Sequence, residues 1–329
     1  MKYAALLARF GGSDISRNTM AASIVRVGQA VQPVINLLRD LVLEAPLIYG
    51  DETTIQVLKE AGGKTAQSKS FMWAQMTERS GAAGTGPPIR LFAYSPSRST
   101  DAAQRLYAGV REGSVLMTDG YDVYNKIAVA HKLVHVGCWA HCRRYFNDAL
   151  QALPKNRRGA DQLAARFIEL IARLYGVEAQ AREQKLDAAA LKQLRQQHSV
   201  AVLGAIEALL LANLHAVLPE SLLGKALHYL SSQWAKLKLF VEDGNYPIDN
   251  NPCENSIRPF VVGRRNWLFA DTVAGANASA NLYSLLQTCK VNGIDGYRYL
   301  RALLVALPRA KTADDYEALL PWNISLSDT

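Results

Sequence analysis

The spacing of apolar positions changes several times along the 329-residue chain. Residues 15 to 44 repeat apolar side chains at helical intervals, with Pro33 at the point where a kink is expected. Three segments rich in β-branched and aromatic residues follow, and their composition predicts strands over 46–58, 70–77 and 89–95. Glycine-rich stretches join these segments, which favours an antiparallel meander of three strands.

A second group of strands alternates with short helices. Helices are predicted over 98–109 and 121–129, and buried strands over 114–120 and 131–138. Parallel strands need crossover connections, which are usually helical, so the later strands are expected to be parallel. The sequence therefore predicts an α/β fold with a mixed five-stranded sheet and flanking helices.

From Trp139 to about Val241 the chain is almost all helical in pattern, with apolar stripes at i, i+3, i+4 and i+7. Its most apolar run, residues 201–218, carries Glu207, Asn213 and His215, a polar load that a membrane span would rarely accept. This stretch predicts a large all-helical block after the strands. Two further helices are expected over 279–293 and 295–307.

Charge and cysteine content narrow the class of protein. Lys and Arg number 37 against 29 Asp and Glu, and the net charge of +8 fits a polyanionic partner such as nucleic acid. Four cysteines are too sparse for a disulfide framework, so a reducing cytoplasm is expected. The first residues, "MKYAALLARFGGSD", contain no long apolar signal region.

Three carboxylates stand at the ends or edges of predicted elements. Asp51 lies within a strand, where it and Glu52 must point to opposite faces, so only one of the two can face a shared site. Asp119 ends a strand, and Glu254 opens a helix. Such a set suits phosphoryl transfer assisted by Mg²⁺, which binds carboxylate oxygens and substrate phosphates.

Each carboxylate also has a purely structural interpretation. Asp119 could form a turn with the glycine that follows it, and Asp51 could be a polar residue at a strand edge. With Asn251 as the N-cap and Pro252 as the first helical residue, Glu254 would occupy the capping-box position. Spacing alone leaves these alternatives open.

Basic residues gather around two motifs. In "HVGCWAHCRR" (residues 135–144), His141, Arg143 and Arg144 are interpreted as contacts to phosphate or close to a metal, the alternative being a helix face of solvated charges. A zinc site is disfavoured there, because Cys138 would end a strand while Cys142 lies in the next helix.

The second basic motif is "IRPFVVGRRNWLF", residues 257–269. Its arginines, Arg258, Arg264 and Arg265, are predicted to contact DNA phosphates, and Trp267 could stack on an unpaired base. In the alternative interpretation the aromatic residues belong to the core and the arginines cover its rim.

Several motifs together resemble the transposases of the bacterial insertion sequence 66 family. They are "YGDETTIQVL", "LMTDGYDVYN", "VGCWAHCRRYF", "DNNPCENSIRPFVVGRRNWLFA" and "YSLLQTCKVNG", and the resemblance runs from about Lys2 to Asn323. It implies a ribonuclease-H-like core with an Asp-Asp-Glu triad, interrupted by a helical insertion before the glutamate. Matched motif by motif, the triad is Asp51, Asp119 and Glu254.

The same resemblance implies an enzyme that cuts a transposon end and drives the exposed 3′-hydroxyl into target DNA. Asp51 and Asp119 would hold Mg²⁺ or Mn²⁺, as two ions, and Glu254 would complete their coordination. The implied partners are DNA, as transposon ends and target, further copies of the chain in a homo-oligomer on DNA, and helper proteins of the same element. A bacterial cytoplasmic location is expected, nucleoid-associated when bound to DNA, with no membrane partner.

The resemblance also divides the chain. The expected parts are an N-terminal helical segment (1–45), the first part of the catalytic core (46–150), the helical insertion (151–245), the rest of the core with the glutamate (246–308) and a C-terminal tail (309–329). Relatives usually carry an N-terminal extension with a cysteine cluster that this chain lacks. Two alternatives stay open on that ground: a truncated, non-catalytic DNA-binding remnant, or a nuclease that only hydrolyses phosphodiesters.

Overall fold

The computed structural model describes residues 15–60, 65, 67–78 and 86–326. The glycine-rich connections predicted between the first three strands lie largely outside the described residues. The strands are β1 (Leu47–Lys59), β2 (Lys69–Met76), β3 (Arg90–Ser95), β4 (Val115–Thr118), β5 (Val134–Gly137) and β6 (Ala270–Thr272). The helices are α1 (Arg17–Ala30), α2 (Gln32–Leu43), α3 (Thr100–Leu106), α4 (Asp122–Ala130), α5 (Trp139–Gln151), α6 (Leu163–Glu183), α7 (Ala188–Asn213), α8 (Leu222–Leu237), α9 (Asn251–Trp267), α10 (Val273–Val291), α11 (Gly296–Ala306) and α12 (Ala313–Glu317).

The strands form one mixed sheet in the order β3-β2-β1-β4-β5. The pairs β1–β2 and β2–β3 are antiparallel, whereas β1–β4 and β4–β5 are parallel. This confirms the predicted meander followed by parallel strands. A short additional strand, β6, runs parallel to the far end of β1 and was not predicted, because three residues carry no readable period.

The predicted N-terminal helix is two helices. α1 ends at Ala30 and α2 starts at Gln32, with Pro33 in its first turn. Proline is tolerated there because the first backbone N–H groups of a helix have no intrahelical acceptor. The helical segment predicted over 15–44 is therefore confirmed, with an interruption at Val31, two residues before the expected kink at Pro33.

The sheet separates two hydrophobic cores. In β1, Tyr49, Ile55 and Val57 face a core formed with α5 to α9, whereas Ile48 faces a core formed with α2, α3, α4 and α11. This alternation follows from the two-residue period of a strand. Both faces of the sheet are covered by helices, so its ends and edges are where polar chemistry can be presented.

The edge strand β3 is covered by α10. The backbone N–H of Phe92 donates to Ser284 Oγ at 2.8 Å, and that of Arg90 donates to Thr288 Oγ1 at 3.0 Å. The two hydroxyls lie one helical turn apart and so reach alternate residues of the strand. They satisfy backbone groups that would otherwise invite pairing with another chain.

The helical block predicted after the strands is confirmed as α5 to α8. The guanidinium of Arg195 on α7 is buried against the Glu178 carboxylate on α6, with nitrogen–oxygen distances of 2.8 and 2.9 Å. Its Nη1 also donates to the carbonyl oxygens of Phe240, Asp243 and Tyr246. Arg195 thereby ties the helices to the segment that leads into α9. Within the described part of the chain, every helix is too short or too polar to cross a bilayer.

Candidate active site

Asp51 and Asp119 lie on neighbouring parallel strands. The register pairs Tyr49 of β1 with Met117 of β4, and both of these side chains belong to the same core. Asp51 and Asp119 each follow two residues later, so by strand periodicity their side chains project toward the same face. Asp119 directly follows the last residue of β4, at its carboxyl end.

Glu254 is brought to this place by the segment before α9. The side-chain amide of Asn250 donates to the carbonyl oxygen of Gly50 at 3.0 Å, one residue before Asp51. The backbone N–H of Asn250 donates to Cys138 Sγ at 3.2 Å. These buried contacts fix the start of α9 against β1 and against the start of α5.

The alternative interpretation of Glu254 as a capping-box residue does not hold. The helix begins at Asn251 with Asn250 as its cap, so Pro252 is the second helical residue and Glu254 the fourth. No side-chain cap is formed at this helix start. The Glu254 carboxylate instead accepts from Arg144 Nη2 at 3.0 and 3.2 Å and lies 3.5 Å from His141 Nδ1.

The three carboxylates influence one another electrostatically. Burial raises the pKa of Asp51 to about 8, and the negative charges of Glu52, Asp119 and Glu254 add to this effect. A hydrogen bond from the backbone N–H of Glu52 opposes it. Negative charges therefore surround a carboxylate that is partly buried.

Glu52 points to the opposite face of β1, consistent with the strand geometry. Its Oε2 accepts from the Tyr124 hydroxyl at 2.7 Å, and Arg98 Nη1 lies 3.9 Å from its Oε1. Burial raises the pKa of Glu52 to about 7, which the bond from Tyr124 opposes. Glu52 thus has its own set of partners on α4 and in the loop after β3.

A thiol and an imidazole lie close to the Glu254 carboxylate, and all three are side chains that can bind a metal ion. One ligand atom each from Cys138, His141 and Glu254 lies within 4.8 Å of the others, the closest such grouping of three in the part of the chain that the structure describes. Burial raises the pKa of Cys138 to about 12. Cys142 is buried and lies outside this group.

The residues of α5 that are predicted to contact DNA have two kinds of neighbour. His141 and Arg144 contact Glu254, as described above. Arg143 and Arg144 also line a small polar pocket of about 380 Å³ together with Asn147, Tyr175 and Asn251. This pocket borders Glu254 and offers several hydrogen-bond donors.

The arginines of α9 differ in their surroundings. Arg258 and Arg265 are exposed, and Arg258 lies one helical turn after Glu254. Arg264 is partly buried and donates to the Thr53 and Thr54 side chains and to the Thr54 carbonyl oxygen. Arg264 therefore joins α9 to β1, while Arg258 and Arg265 present their charge to solvent.

Trp267 is held inside the protein. It is partly buried and packs edge-on against Phe260, with ring centroids 5.4 Å apart. This matches the interpretation of Trp267 as a core residue, whereas Phe269 is exposed.

Sequence reasoning missed the residues that assemble the site. Asn250 is one of these residues. Its position beside Asn251 and Pro252 indicates a helix start but does not show which strand the Asn250 side chain contacts. Lys236 on α8 is another: its Nζ donates to Asn125 at 2.8 Å, and the charge of Asp119 opposes the lowering of its pKa by burial. The period of α8 marks only its apolar stripe, so nothing in the sequence placed Lys236 near Asp119.

Comparisons with known proteins give one consistent family. The sequence model described as "Transposase IS66 family" matches residues 2–278, and that of the "IS66 C-terminal element" matches residues 284–322. Among curated relatives, the uncharacterized protein y4qI of Sinorhizobium fredii is 32% identical over 319 residues, covering 95% of this chain and 57% of the relative. The uncharacterized protein y4jD of the same organism is 29% identical over 320 residues, which cover 95% of this chain and 60% of that relative. The chain thus spans 57–60% of the length of these relatives.

Proposed function

Because the chain belongs to the IS66 family of transposases, we propose that it is the catalytic region of a divalent-metal-dependent DNA transposase. It would cut transposon ends and join the resulting 3′-hydroxyl to target DNA. The observation that carries this proposal is the convergence of Asp51, Asp119 and Glu254 on one end of the sheet. Two of them extend from adjacent parallel strands, and the third arrives on a helix tethered to Gly50.

The proposal includes a ribonuclease-H-like core. Its support is the strand order β3-β2-β1-β4-β5, with an antiparallel meander followed by two parallel strands. Helices α6 to α8 would then be the insertion between the second aspartate and the glutamate. This insertion packs through α8 on α5 and on β5, close to the carboxylates.

The donor set fits hard divalent cations such as Mg²⁺ or Mn²⁺. Asp51, Asp119 and Glu254 would supply oxygen ligands, and the pKa of Asp51, raised first by burial and then by the neighbouring negative charges, would fall if a cation bound there. The buried Asn250 Oδ1 next to them has no hydrogen-bond partner among the described residues. The three carboxylates are more widely spaced than the Cys138–His141–Glu254 group, which favours two ions over one. When bound, such ions activate the attacking oxygen and stabilise the leaving oxygen.

The protein's own residues would orient the reaction. Arg144 and His141 contact Glu254, and Arg144 is exposed enough that this ion pair is weak and exchangeable. Arg143, Arg144 and Arg258 border the carboxylates and would position DNA phosphates. Positioning of this kind is the main contribution of a protein to phosphoryl transfer.

A strand-transfer assay tests the proposal. The substrate is a pre-cleaved transposon end in duplex form with a plasmid target, in Mg²⁺ or Mn²⁺. We expect joining in the wild-type protein and its loss in Asp51→Ala, Asp119→Ala and Glu254→Ala. Glu169→Gln, at an exposed carboxylate on α6, serves as the matched control and should join normally.

Three results would contradict the proposal in distinct ways. Full joining by Glu254→Ala would remove Glu254 from the site. DNA binding without cleavage by the wild-type protein would indicate a non-catalytic remnant. Nicking without joining would indicate a nuclease that only hydrolyses phosphodiesters.

A further inference from the structure

A pocket outside the carboxylate cluster lies between α5, α8 and the loop after β4. It has a volume of about 500 Å³, within the usual range for ligand sites. Its walls include Gly120, Tyr145, Lys225, His228, Tyr229 and Ser232. None of these residues has a role in the carboxylate chemistry proposed above, and the pocket combines aromatic surface with basic side chains.

Two stacked tyrosines form the aromatic wall. Tyr145 on α5 and Tyr229 on α8 have ring centroids 4.6 Å apart and an interplanar angle of 26°. Tyr145 is 41% exposed, so part of its ring is available to a third flat group. A planar aromatic ligand could extend this stack without rearranging it.

The pocket reaches the residue next to Asp119, because Gly120 is part of its wall. A Cβ atom on Gly120 would lie only 2.6 Å from Tyr229 Cε2, so the tyrosine ring rests directly on the backbone beside Asp119. A side chain larger than hydrogen at residue 120 would displace that ring. A group in the pocket would therefore sit next to whatever Asp119 binds.

The rim of the pocket is suited to a phosphodiester. Lys225 and His228 are exposed, and the Lys225 ammonium pairs with the still more exposed Glu220 at 3.4 Å. An exposed pair of this kind contributes little and is readily exchanged for another anion. A phosphate would offer Lys225 a stronger, charge-assisted partner.

We propose that this pocket receives an unpaired base of the DNA strand adjacent to the reacting phosphate near Asp119, stacked on the Tyr145–Tyr229 pair. The inference rests on the proposed function, because it takes DNA to be the substrate. It assigns base stacking to α5 and α8, since Trp267 packs on Phe260 inside the core. Part of the role of the helical insertion is then to hold a nucleotide pulled out of the duplex.

Binding to matched single strands tests the pocket. The probes are a labelled thymidine homopolymer, an abasic strand with the same number of phosphates, and a duplex of equal length, all measured by fluorescence anisotropy at one salt concentration. Loss of one base–aromatic stack corresponds to about a 5- to 140-fold loss of affinity. We expect the wild-type protein to prefer the thymidine strand over the abasic strand by a factor in that range.

Substitutions in the pocket distinguish the contribution of base stacking to DNA binding from the contribution of positive charge. Tyr145→Ala should abolish the preference for the thymidine strand while leaving duplex affinity unchanged, and Tyr145→Phe should keep it. Tyr297→Ala, at a tyrosine on α11 that is 76% exposed, is the matched control and should also keep it. Lys225→Gln should weaken the thymidine and abasic strands equally, because it removes a phosphate contact.

Two outcomes overturn the inference. A thymidine preference that persists in Tyr145→Ala would show that the bases stack elsewhere, even if duplex binding and joining are normal; only the pocket would then be rejected. Failure of the wild-type protein to bind any of the three probes would reject the pocket together with the proposed function.

Discussion

At the scale of single residues, the raised pKa of Asp51 links the stability of the folded protein to pH. Its pKa rises from an ordinary 3.8 to about 8 because the carboxyl group is buried among other carboxylates. Between these two values the folded protein binds a proton that the unfolded chain releases. The metal-free protein is therefore destabilised as pH rises through that window.

Replacing this carboxylate should stabilise the metal-free protein. We expect Asp51→Asn to raise the free energy of unfolding in EDTA at pH values above the window by about 1–3 kcal/mol, because the amide carries no charge to desolvate. Added Mg²⁺ should stabilise the wild-type protein and have a smaller effect on the variant. Thermal denaturation across a pH series, with Glu169→Gln as the control, measures both effects. An identical pH profile for Asp51→Asn and the wild-type protein would contradict the assignment of the raised pKa to this residue.

At the scale of elements, the helical insertion is joined to the sheet by Arg195. This buried guanidinium binds the Glu178 carboxylate through two nitrogens and reaches three carbonyl oxygens of the segment 240–246. A buried charge without its partner is costly, so this one side chain holds α6, α7 and the approach to α9 in a fixed arrangement.

Removing that guanidinium should unfold much of the insertion. We expect Arg195→Met to lower the free energy of unfolding by about 3–5 kcal/mol, since Glu178 is left buried and unpaired. Adding Glu178→Leu should recover only part of the loss, because the three carbonyl oxygens stay without a donor. Urea denaturation measures this, with Lys59→Met as a control at an exposed ion pair of the same 2.8 Å length. Equal losses in Arg195→Met and Lys59→Met would contradict the role of Arg195.

Some elements of the fold could be predicted from the sequence and others could not. Strands β1 to β5 and the helical block were predictable because their local periods match their burial. The interruption of the first helical segment and the cap of α9 lie two residues and one residue before their expected positions, since Pro33 and Pro252 mark a helix start without fixing its first residue. Contacts such as Asn250 to Gly50 join residues 200 positions apart, and no local pattern encodes them.

The three carboxylates of the candidate site could be predicted from the sequence better than the residues that surround them. The motifs around Asp51, Asp119 and Glu254 carried the family resemblance, and their roles as metal ligands stay a prediction. Sequence reasoning offered Trp267 as a stacking residue, whereas the exposed aromatic surface beside Asp119 comes from Tyr145 and Tyr229. Those two tyrosines lie 84 residues apart, on helices whose packing the sequence did not specify.

At the scale of the whole molecule, the net charge of +8 should govern binding to DNA. Arg143 and Arg258 are exposed near the carboxylates, while Arg264 is engaged with β1. The exposed arginines are therefore the ones expected to release counterions from DNA on binding.

The salt dependence of duplex binding tests this distribution. Arg143→Gln and Arg258→Gln should each weaken binding and reduce the slope of log affinity against log salt by about 1. Arg173→Gln, at an exposed arginine on α6, is the matched control and should leave the slope unchanged. Unchanged slopes in both test variants would place the DNA on a different surface.

The tether between Asn250 and Gly50 has a consequence for how the protein is made. Residues 119 and 254 are 135 positions apart, so at about 5–20 residues per second the ribosome needs about 7–27 s to travel from the second carboxylate to the third. During that interval the nascent chain carries Asp51 and Asp119, but it has neither Glu254 nor the amide that docks its helix. The proposed site can form only after synthesis has passed the insertion, so a chain abandoned before that point would be unable to cut DNA.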